Sequence, residues 1–385
     1  MKSDNRIVMT LDAGGTNLVF SAIQDGREVV TPVTLPSEVN DLDRCLRVLV
    51  SGFEEVMRRL PAAPSAISFA FPGPADYVHG VIGDLPNFPA FRGGVALGDF
   101  LKGHFHLPVF INNDGNLFAY GEALAGALPE INGMLEACGN PKRYRNLLGV
   151  TFGTGFGGGV VIDGKVLLGD NQTGGYLWCL PNKRYPDLIA EENVGVRAVK
   201  RVYADLSGDR EERTPKAIFD IAEGNLPGDA QAARQAFAEL GEVAGHAIST
   251  AVTLIDGLVV IGGGLAGASK YIMPALMKEL RATTGKWDGS VFPRLQMTPY
   301  YLEDPKEREA FLEDKAVRVT VPFSDRSTIY ETDRKIGIAL SRLGANRSIA
   351  LGAYWFAISQ LDLTSNPQLS SSASFLRLNV LSSLN

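Results

Sequence analysis

Cysteine, histidine and basic runs are all scarce in this chain, and each shortage closes a class of function. The three cysteines, Cys45, Cys138 and Cys179, stand far apart with no CxxC pair. That spacing disfavours both a disulfide framework and a cysteine zinc site, and leaves reduced thiols. Of the four histidines, His104 and His106 alternate around Phe105 without a third ligand close by, and His79 and His246 stand alone. Surface positions account for them without a metal. No block of Lys and Arg offsets a net charge of -6 and a pI near 5.4, so nucleic acid is not the expected partner. Nowhere does the apolar run of about 18 residues occur that a membrane helix requires. The start, Met1-Lys-Ser-Asp-Asn-Arg6, offers neither an apolar core segment nor a small-residue cleavage site. The expectation is a cytoplasmic protein with no membrane partner.

What is present is apolar content: 45% of 385 residues, ample for the two domains that this length favours. Two glycine-rich loops stand out, Leu11-Asp-Ala-Gly-Gly-Thr-Asn17 and Phe152-Gly-Thr-Gly-Phe-Gly-Gly-Gly159. Each follows a short β-branched run and leads into another apolar run, so each reads as a hairpin turn. Glycines there free backbone N–H groups to face phosphate oxygens. An ordinary tight hairpin is the alternative for the first loop. Against it stand Asp12, a carboxylate suited to hydrated Mg²⁺, and Thr16, a hydroxyl donor for a phosphate oxygen.

The apolar period organises the rest. From 6 to about 35, short runs broken by Gly26 and Pro32 suggest a β-meander. Leu42, Leu46, Leu49, Val50, Phe53, Val56 and Met57 then recur at helical spacing after an Asp41 N-cap. Ile67 to Phe71 is a strand ended by Pro72-Gly73-Pro74. A proline-spaced loop, a helix ending near His106 and the strand Val109-Phe-Ile-Asn112 follow. Residues 117 to 128 read as one Ala-rich helix. The second half repeats the theme, with strand-loop-strand at 147 to 168, helices from about 191 to 254, and the strand Leu258-Val-Val-Ile261 entering Gly262-Gly263-Gly264. Residues 302 to 318 are charge-dense and read as a solvated helix or loop. A late apolar helix spans 349 to 361, before a Ser-rich tail with little to order it.

Asp114 falls just past a strand's C-terminal end, where open α/β sheets place their ligands. It is either a turn residue bonding its own backbone or a catalytic base that accepts a hydroxyl proton during phosphoryl transfer. The two glycine loops favour the base. Asn113, and Asn87 in Pro86-Asn-Phe-Pro89, offer the donor-and-acceptor amides that polyols need, with plain surface asparagine as the alternative for each. Gly153 to Gly158 matches GxGxxG, but the following segment turns at Asp163-Gly164 as a strand pair rather than a helix, which opposes a dinucleotide site. Gly262 to Gly267 matches as well, yet lacks the second strand with an acidic end. A glycine bed for a nucleotide base or ribose suits it better.

Together these motifs resemble the ROK family of bacterial sugar kinases and sugar-responsive repressors, within the actin, Hsp70 and sugar-kinase superfamily. The resemblance spans most of residues 6 to 280 and, weakly, 344 to 357. Its first phosphate loop is similar to Asp12-Ala-Gly14-Gly15-Thr16 with Asn17, its sugar loop to Leu85-Pro-Asn87-Phe-Pro89, and its catalytic segment to Asn113-Asp114 through Glu122. The second phosphate loop is similar to Gly153-Thr154-Gly155 through Gly159, and the adenosine motif to Ile261-Gly-Gly263-Gly264-Leu-Ala266. The resemblance implies an α/β fold of two ribonuclease-H-like (actin-like ATPase) lobes around a central cleft. It places a small lobe at 1–118 with a C-terminal helix at about 346–362, a large lobe at 119–345 carrying an extension at about 281–345, and the tail at 363–385. It implies ATP and Mg²⁺, with Asp12 reaching the metal through water, Asp114 as base, a sugar substrate and a homodimer.

Where the family carries Gly-Glu-x-Gly-His, this chain has Gly175-Tyr176-Leu-Trp-Cys179. Tyr176 and Cys179 replace the sugar-contacting Glu and His, and the family's zinc-binding cysteine cluster is missing, so zinc is not expected. Glu191 or Glu192 stands in for the family's next sugar-binding Glu. A buried polar site rejects a ligand that leaves its groups unpaired, so these changes are expected to shift specificity away from glucose. The expectation is a sugar kinase phosphorylating a hydroxyl of a hexose or related sugar. The rivals are a sensor without turnover and a transcription regulator, the latter opposed by the short stretch ahead of Asp12.

Overall fold

Short apolar runs at the start of the chain close into hairpins in the computed structural model, which describes residues 4–13, 16–73, 75–83 and 89–365. The chain divides into two units, one built from residues up to Leu117 with the segment from Ile349 onward, the other from Phe118 to Ser348. In the first unit β1 (Ile7–Ala13), β2 (Asn17–Gln24), β3 (Arg27–Glu28) and β4 (Val33–Pro36) precede helix α1 (Leu42–Arg59). Asp41 caps α1 by accepting the N–H of Arg44 at 3.0 Å. The helix buries Cys45, Leu49, Phe53 and Val56, and Phe53 meets Phe20 of β2 edge to face at 5.1 Å.

Strand β5 (Ala66–Ala70) lies parallel to β1. A small antiparallel sheet of β6 (Ala75–Asp76), β7 (Val81–Ile82) and β8 (Val95–Ala96) follows, then α2 (Leu97–Phe105), closed by His106 in the left-handed conformation. Strand β9 (Val109–Asn112) completes the main sheet, whose order is β3-β2-β1-β5-β9 with β4 paired to β2. Parallel pairing of β1, β5 and β9 puts their C-terminal ends at one edge.

The helix expected over 117 to 128 is two helices. α3 spans Asp114–Leu124 and α4 spans Ala127–Ala137. The break falls at Ala125 and Gly126, where Gly126 leaves helical geometry with φ -115° and ψ -123°, and the Glu122 carboxylate accepts the N–H of Ala127 at 2.8 Å as the new helix begins.

The second unit repeats the first. β10 (Leu147–Phe152), β11 (Phe156–Ile162) and β12 (Lys165–Val166) form an antiparallel run, its second turn made by Asp163 and Gly164, both with positive φ. That pair is the type I′ geometry that suits a twisted hairpin. Helices α5 (Val196–Ser207), α6 (Pro215–Glu223) and α7 (Ala230–Ile255) lead to β13 (Leu258–Gly262), parallel to β10, and then to α8 (Ser269–Leu280). Beyond α8 come the hairpin of β14 (Thr283–Gly285) and β15 (Val291–Pro293), β16 (Thr298–Tyr301), α9 (Pro305–Leu312), the hairpin of β17 (Val317–Thr320) and β18 (Ser327–Tyr330), and β19 (Lys335–Leu340). Helix α10 (Ala345–Ser365) ends the described chain. The sheet order is β12-β11-β10-β13-β19-β16.

The 281–345 stretch is therefore more than an addition, because β19 pairs parallel with β13 and β16 with β19. The charge-dense segment forms α9, which is anchored by buried Phe311 stacked on Tyr144 at 5.6 Å. The Ser-rich stretch from 370 lies outside the described residues. Among the described residues no helix is long and apolar enough to cross a membrane.

Candidate active site

In the first unit the carboxylates gather at the sheet edge where β1, β5 and β9 end. Asp12 pairs with Val19 across the first hairpin and is exposed beside its turn. Desolvation by the surrounding protein pushes its carboxyl pKa upward. Asn17 opens the return strand with Thr16 just ahead of it, and both are exposed. Gly14, Gly15 and Asn87 lie outside the described residues.

The strand-to-helix turn after β9 is a hydrogen-bonded ladder of amides. Asn112 is buried, and its Oδ1 accepts the N–H of Asn113 at 2.8 Å and Nδ2 of Asn116 at 3.1 Å. Asn113 then caps α3: its Oδ1 accepts the N–H of Gly115 at 2.8 Å. Its Nδ2 points to the Tyr77 hydroxyl at 3.4 Å. The amide offered by sequence as a polyol contact thus has its oxygen engaged in the cap.

Asp114 is the first residue of α3, and its Oδ1 accepts the N–H of Gly115 at 2.9 Å. The bond of a turn residue is therefore present, and no bond is made to Oδ2 among the described residues. Its side chain reaches solvent, yet the protein crowded around it raises the carboxyl pKa. The Gly115 N–H opposes that rise, and the nearby charge of Asp12 adds to it. A carboxylate held near solvent with raised proton affinity is a competent general base.

In the second unit the corresponding strand ends carry glycines. The turn between β10 and β11 is Gly153-Thr154-Gly155, closed by the Gly153 N–H donating to the Gly155 carbonyl at 3.1 Å. A β-strand follows directly, so the loop is not the start of a dinucleotide-binding helix. Around Gly153 the space a side chain would take is open. At the end of β13, Gly263 adopts φ 90°, and a Cβ there would collide with the carbonyl of Phe152. The two glycine loops therefore touch, and only glycine permits it. Gly264 borders open space and begins the turn into α8.

The remaining sequence candidates sit in the second unit too. Glu191 is half-buried behind the Gly153–Gly155 turn, with Oε2 accepting the N–H of Phe156 at 2.9 Å. Glu192 is exposed, and its carbonyl accepts from Arg201 at 2.7 Å. Tyr176 is half-buried with its ring 6.0 Å from that of Trp178, and its carbonyl accepts from the Cys179 thiol at 3.1 Å. Among the described residues no group of three or more His, Cys, Asp and Glu converges as a metal site.

Sequence reasoning missed two supports. Asn182 is buried and donates from Nδ2 to Asn193 Oδ1 at 2.9 Å, tying the 181–189 loop to the turn that carries Glu191. Glu122 is buried on α3 amid serine and backbone donors. Its place in the Asn113-to-Glu122 segment was the available signal, and a lone acid in an Ala-rich helix was its trace.

The ROK family model matches residues 8–177, which include both glycine-rich hairpin loops and Asp114. A glucokinase from Parabacteroides distasonis, known as a crystal structure, is 60% identical, with a TM-score of 0.85 over 93% of this chain and 99% of that one. The N-acetyl-D-glucosamine kinase of Vibrio vulnificus strain YJ016 is 28% identical over 316 residues, covering 73% of this chain and 97% of that protein. A ROK family glucokinase from Streptomyces griseus, solved with glucose and AMPPNP, is 16% identical with a TM-score of 0.58 over 91% of this chain and 98% of that one, a likeness of fold alone. The mixed α/β architecture with its repeated sheet order is that of the actin-like ATPases. With a 60% identical relative spanning nearly the whole sequence and the family model laid over its first glycine loops, the chain belongs to the ROK family.

Proposed function

We propose that this sugar kinase transfers the γ-phosphoryl group of ATP to a hydroxyl of a hexose or N-acetylated hexosamine, with Asp114 as the general base. The observation that carries the reading is the Asp114 carboxylate itself, set at a strand end with raised proton affinity beside Asp12. In the step, the sugar hydroxyl oxygen attacks the γ-phosphorus while its proton passes to Asp114. The bond from the γ-phosphorus to the bridging oxygen breaks, and ADP leaves with that oxygen. Deprotonation by a positioned carboxylate contributes roughly 10²–10⁴-fold.

The glycine turns suit the nucleotide. Open space at Gly153 and Gly264 lets phosphate or ribose approach backbone directly. Exposed Asp12 suits Mg²⁺ held through water, and that ion, when bound, neutralises charge on the phosphates. Asn113, Tyr176 and Glu192 remain candidate sugar contacts.

The relatives named above are a glucokinase and an N-acetyl-D-glucosamine kinase, which favours a sugar of glucose configuration. The replacements at Tyr176 and Cys179 favour a sugar other than glucose. ADP release from the purified chain with Mg-ATP, across glucose, N-acetylglucosamine, other hexoses and sugar acids, separates these. Sugar-dependent turnover that disappears in Asp114→Asn supports the reading and names the substrate. Turnover on glucose above all others overturns the specificity expected from Tyr176 and Cys179. ATP binding without turnover on any sugar overturns the kinase reading in favour of a sensor.

A further inference from the structure

We propose that Glu191 is the positioning residue of the Gly153–Gly155 loop, acting on the nucleotide rather than on the sugar. The proposal rests on the reading that this loop faces the phosphates of ATP. A phosphate cradle made of backbone works only if its N–H groups are held in place before the ligand arrives. In this loop the Gly153 N–H is spent on the Gly155 carbonyl and the Phe156 N–H on Glu191. The N–H groups of Thr154 and Gly155 have no partner among the described residues, and they are the donors left for a ligand.

One short turn backs the whole loop. Glu191 Oε2 accepts the Phe156 N–H at 2.9 Å and occupies the place where a Cβ on Gly155 would stand. Four residues on, Gly195 has φ 137°, and a Cβ there would lie 2.9 Å from the Thr154 carbonyl. The N–H of Val196 then donates to the Gly153 carbonyl at 3.0 Å. Every residue of the loop is thus met from the same segment. That segment is fixed in turn by the Asn182 to Asn193 bond, whose two residues are each 1% exposed.

The second oxygen of Glu191 lies 3.5 Å from the Arg197 guanidinium. Arg197 offsets a negative charge that would otherwise stand under a loop meant for anions. The hydrogen-bond acceptor, not the charge, is what the loop uses. This separates the proposal from a sugar-contact role, in which a carboxylate would receive sugar hydroxyls directly.

The test is nucleotide binding to the full chain, measured by titration with a non-hydrolysable ATP analogue and Mg²⁺, beside sugar KM. Glu191→Ala should weaken nucleotide binding about 10- to 100-fold, the effect of losing one hydrogen bond to a charged group. It should leave sugar KM within about twofold of the parent, the scale of an interaction not made. Amide exchange at residues 154–156 should quicken. Glu191→Gln retains an acceptor of the same reach and should bind nucleotide like the parent, while Glu191→Asp, one methylene shorter, should not. A Glu191→Gln variant with raised sugar KM and unchanged nucleotide affinity overturns the proposal in favour of a sugar contact. A parent that binds the analogue but phosphorylates no sugar removes the kinase reading and leaves the binding comparison to support this proposal. A parent that binds no nucleotide overturns both.

Discussion

Removing the carboxylate of Glu122 should destabilise the protein far more than neutralising it does. Glu122 is fully buried on α3 and forms no ion pair among the described residues. Its Oε2 accepts the Ala127 N–H at 2.8 Å, and its Oε1 accepts the Ser348 hydroxyl at 2.6 Å, the Ser341 hydroxyl and, at 3.4 Å, the Leu343 N–H. Ser341 and Leu343 are half-buried and can turn to water, whereas Ala127 and Ser348 are fully buried. Glu122→Ala therefore strands one buried donor, the Ala127 N–H, at about 1–3 kcal/mol, because the Ser348 hydroxyl can turn to the Gly344 carbonyl 2.9 Å away, and the cavity it leaves adds to that. The expected loss is about 2–5 kcal/mol, a large share of the stability of an ordinary domain. Glu122→Gln keeps the shape and one acceptor for Ala127, and the serine hydroxyls can rotate to accept from its amide. Its cost should be about 1–2 kcal/mol, near that of one imperfect hydrogen bond. Urea unfolding followed by both tryptophan fluorescence and circular dichroism measures the two variants, and coincidence of the probes licenses the free energies. A loss below about 1 kcal/mol in Glu122→Ala, less than one stranded donor, would refute the reasoning, as would equal losses in both.

Asp114→Asn should lower activity and raise stability at once. The folded pKa of Asp114 is raised above its ordinary value, so the stabilising contribution of this group is complete below the ordinary carboxylate pKa and is lost as pH rises through the folded one. The variant should accordingly melt higher than the parent near pH 7–8, with the gap closing as pH falls toward about 4. A gap that stays constant with pH contradicts the raised pKa. In the parent, kcat/KM should climb with pH and level off above the ordinary carboxylate range. At the second glycine loop, Gly263→Ala meets both a positive φ and the Phe152 carbonyl and should cost about 2–5 kcal/mol. Gly264→Ala faces open space and should cost less than about 1 kcal/mol while weakening nucleotide binding, a contrast that denaturation and an ATP-analogue titration read together.

Much of the fold was written locally. The Asp41 cap, the left-handed end of α2 at His106 and the Asp163-Gly164 turn are all set by neighbours in sequence, and each lies where the local chemistry directs it. The hairpin that follows Gly153 was legible for the same reason, since a turn dipeptide bounded two apolar runs. The contribution of 281–345 was not, because β19 finds its partner in β13 through parallel pairing across a long loop, and no residue near Lys335 signals that choice. The break between α3 and α4 was hidden similarly. Its one local sign was Gly126, worth only about 1 kcal/mol against a helix, and the bond from the Ala127 N–H to Glu122 that meets the new helix does not show in the residue order. In the site, Asp12, Asp114 and the glycines could be nominated from residue type, but the placement of Glu191 against Phe156 crosses 35 positions and has no local trace.

The direction of the Asp114 shift bears on how the two sheets divide their work. Both have the same order of three antiparallel strands followed by parallel ones, so the ends of β1, β5 and β9 correspond to those of β10, β13 and β19. The first set carries carboxylates, and the second carries glycines that border open space. At the first turn of a helix, with the Gly115 N–H donating to it, Asp114 should by those influences be more acidic than usual, by an amount worth about 0.3–1 kcal/mol for the helix terminus. Its proton affinity is raised instead, with desolvation the largest cause. Loss of water therefore outweighs the helix terminus and the amide together. A carboxylate in that state takes a hydroxyl proton more readily, and any charge held near it is screened less than it would be in bulk solvent. Equivalent strand ends thus carry glycines that border open space in one unit and carboxylates of raised proton affinity in the other, and the difference lies in a few residues.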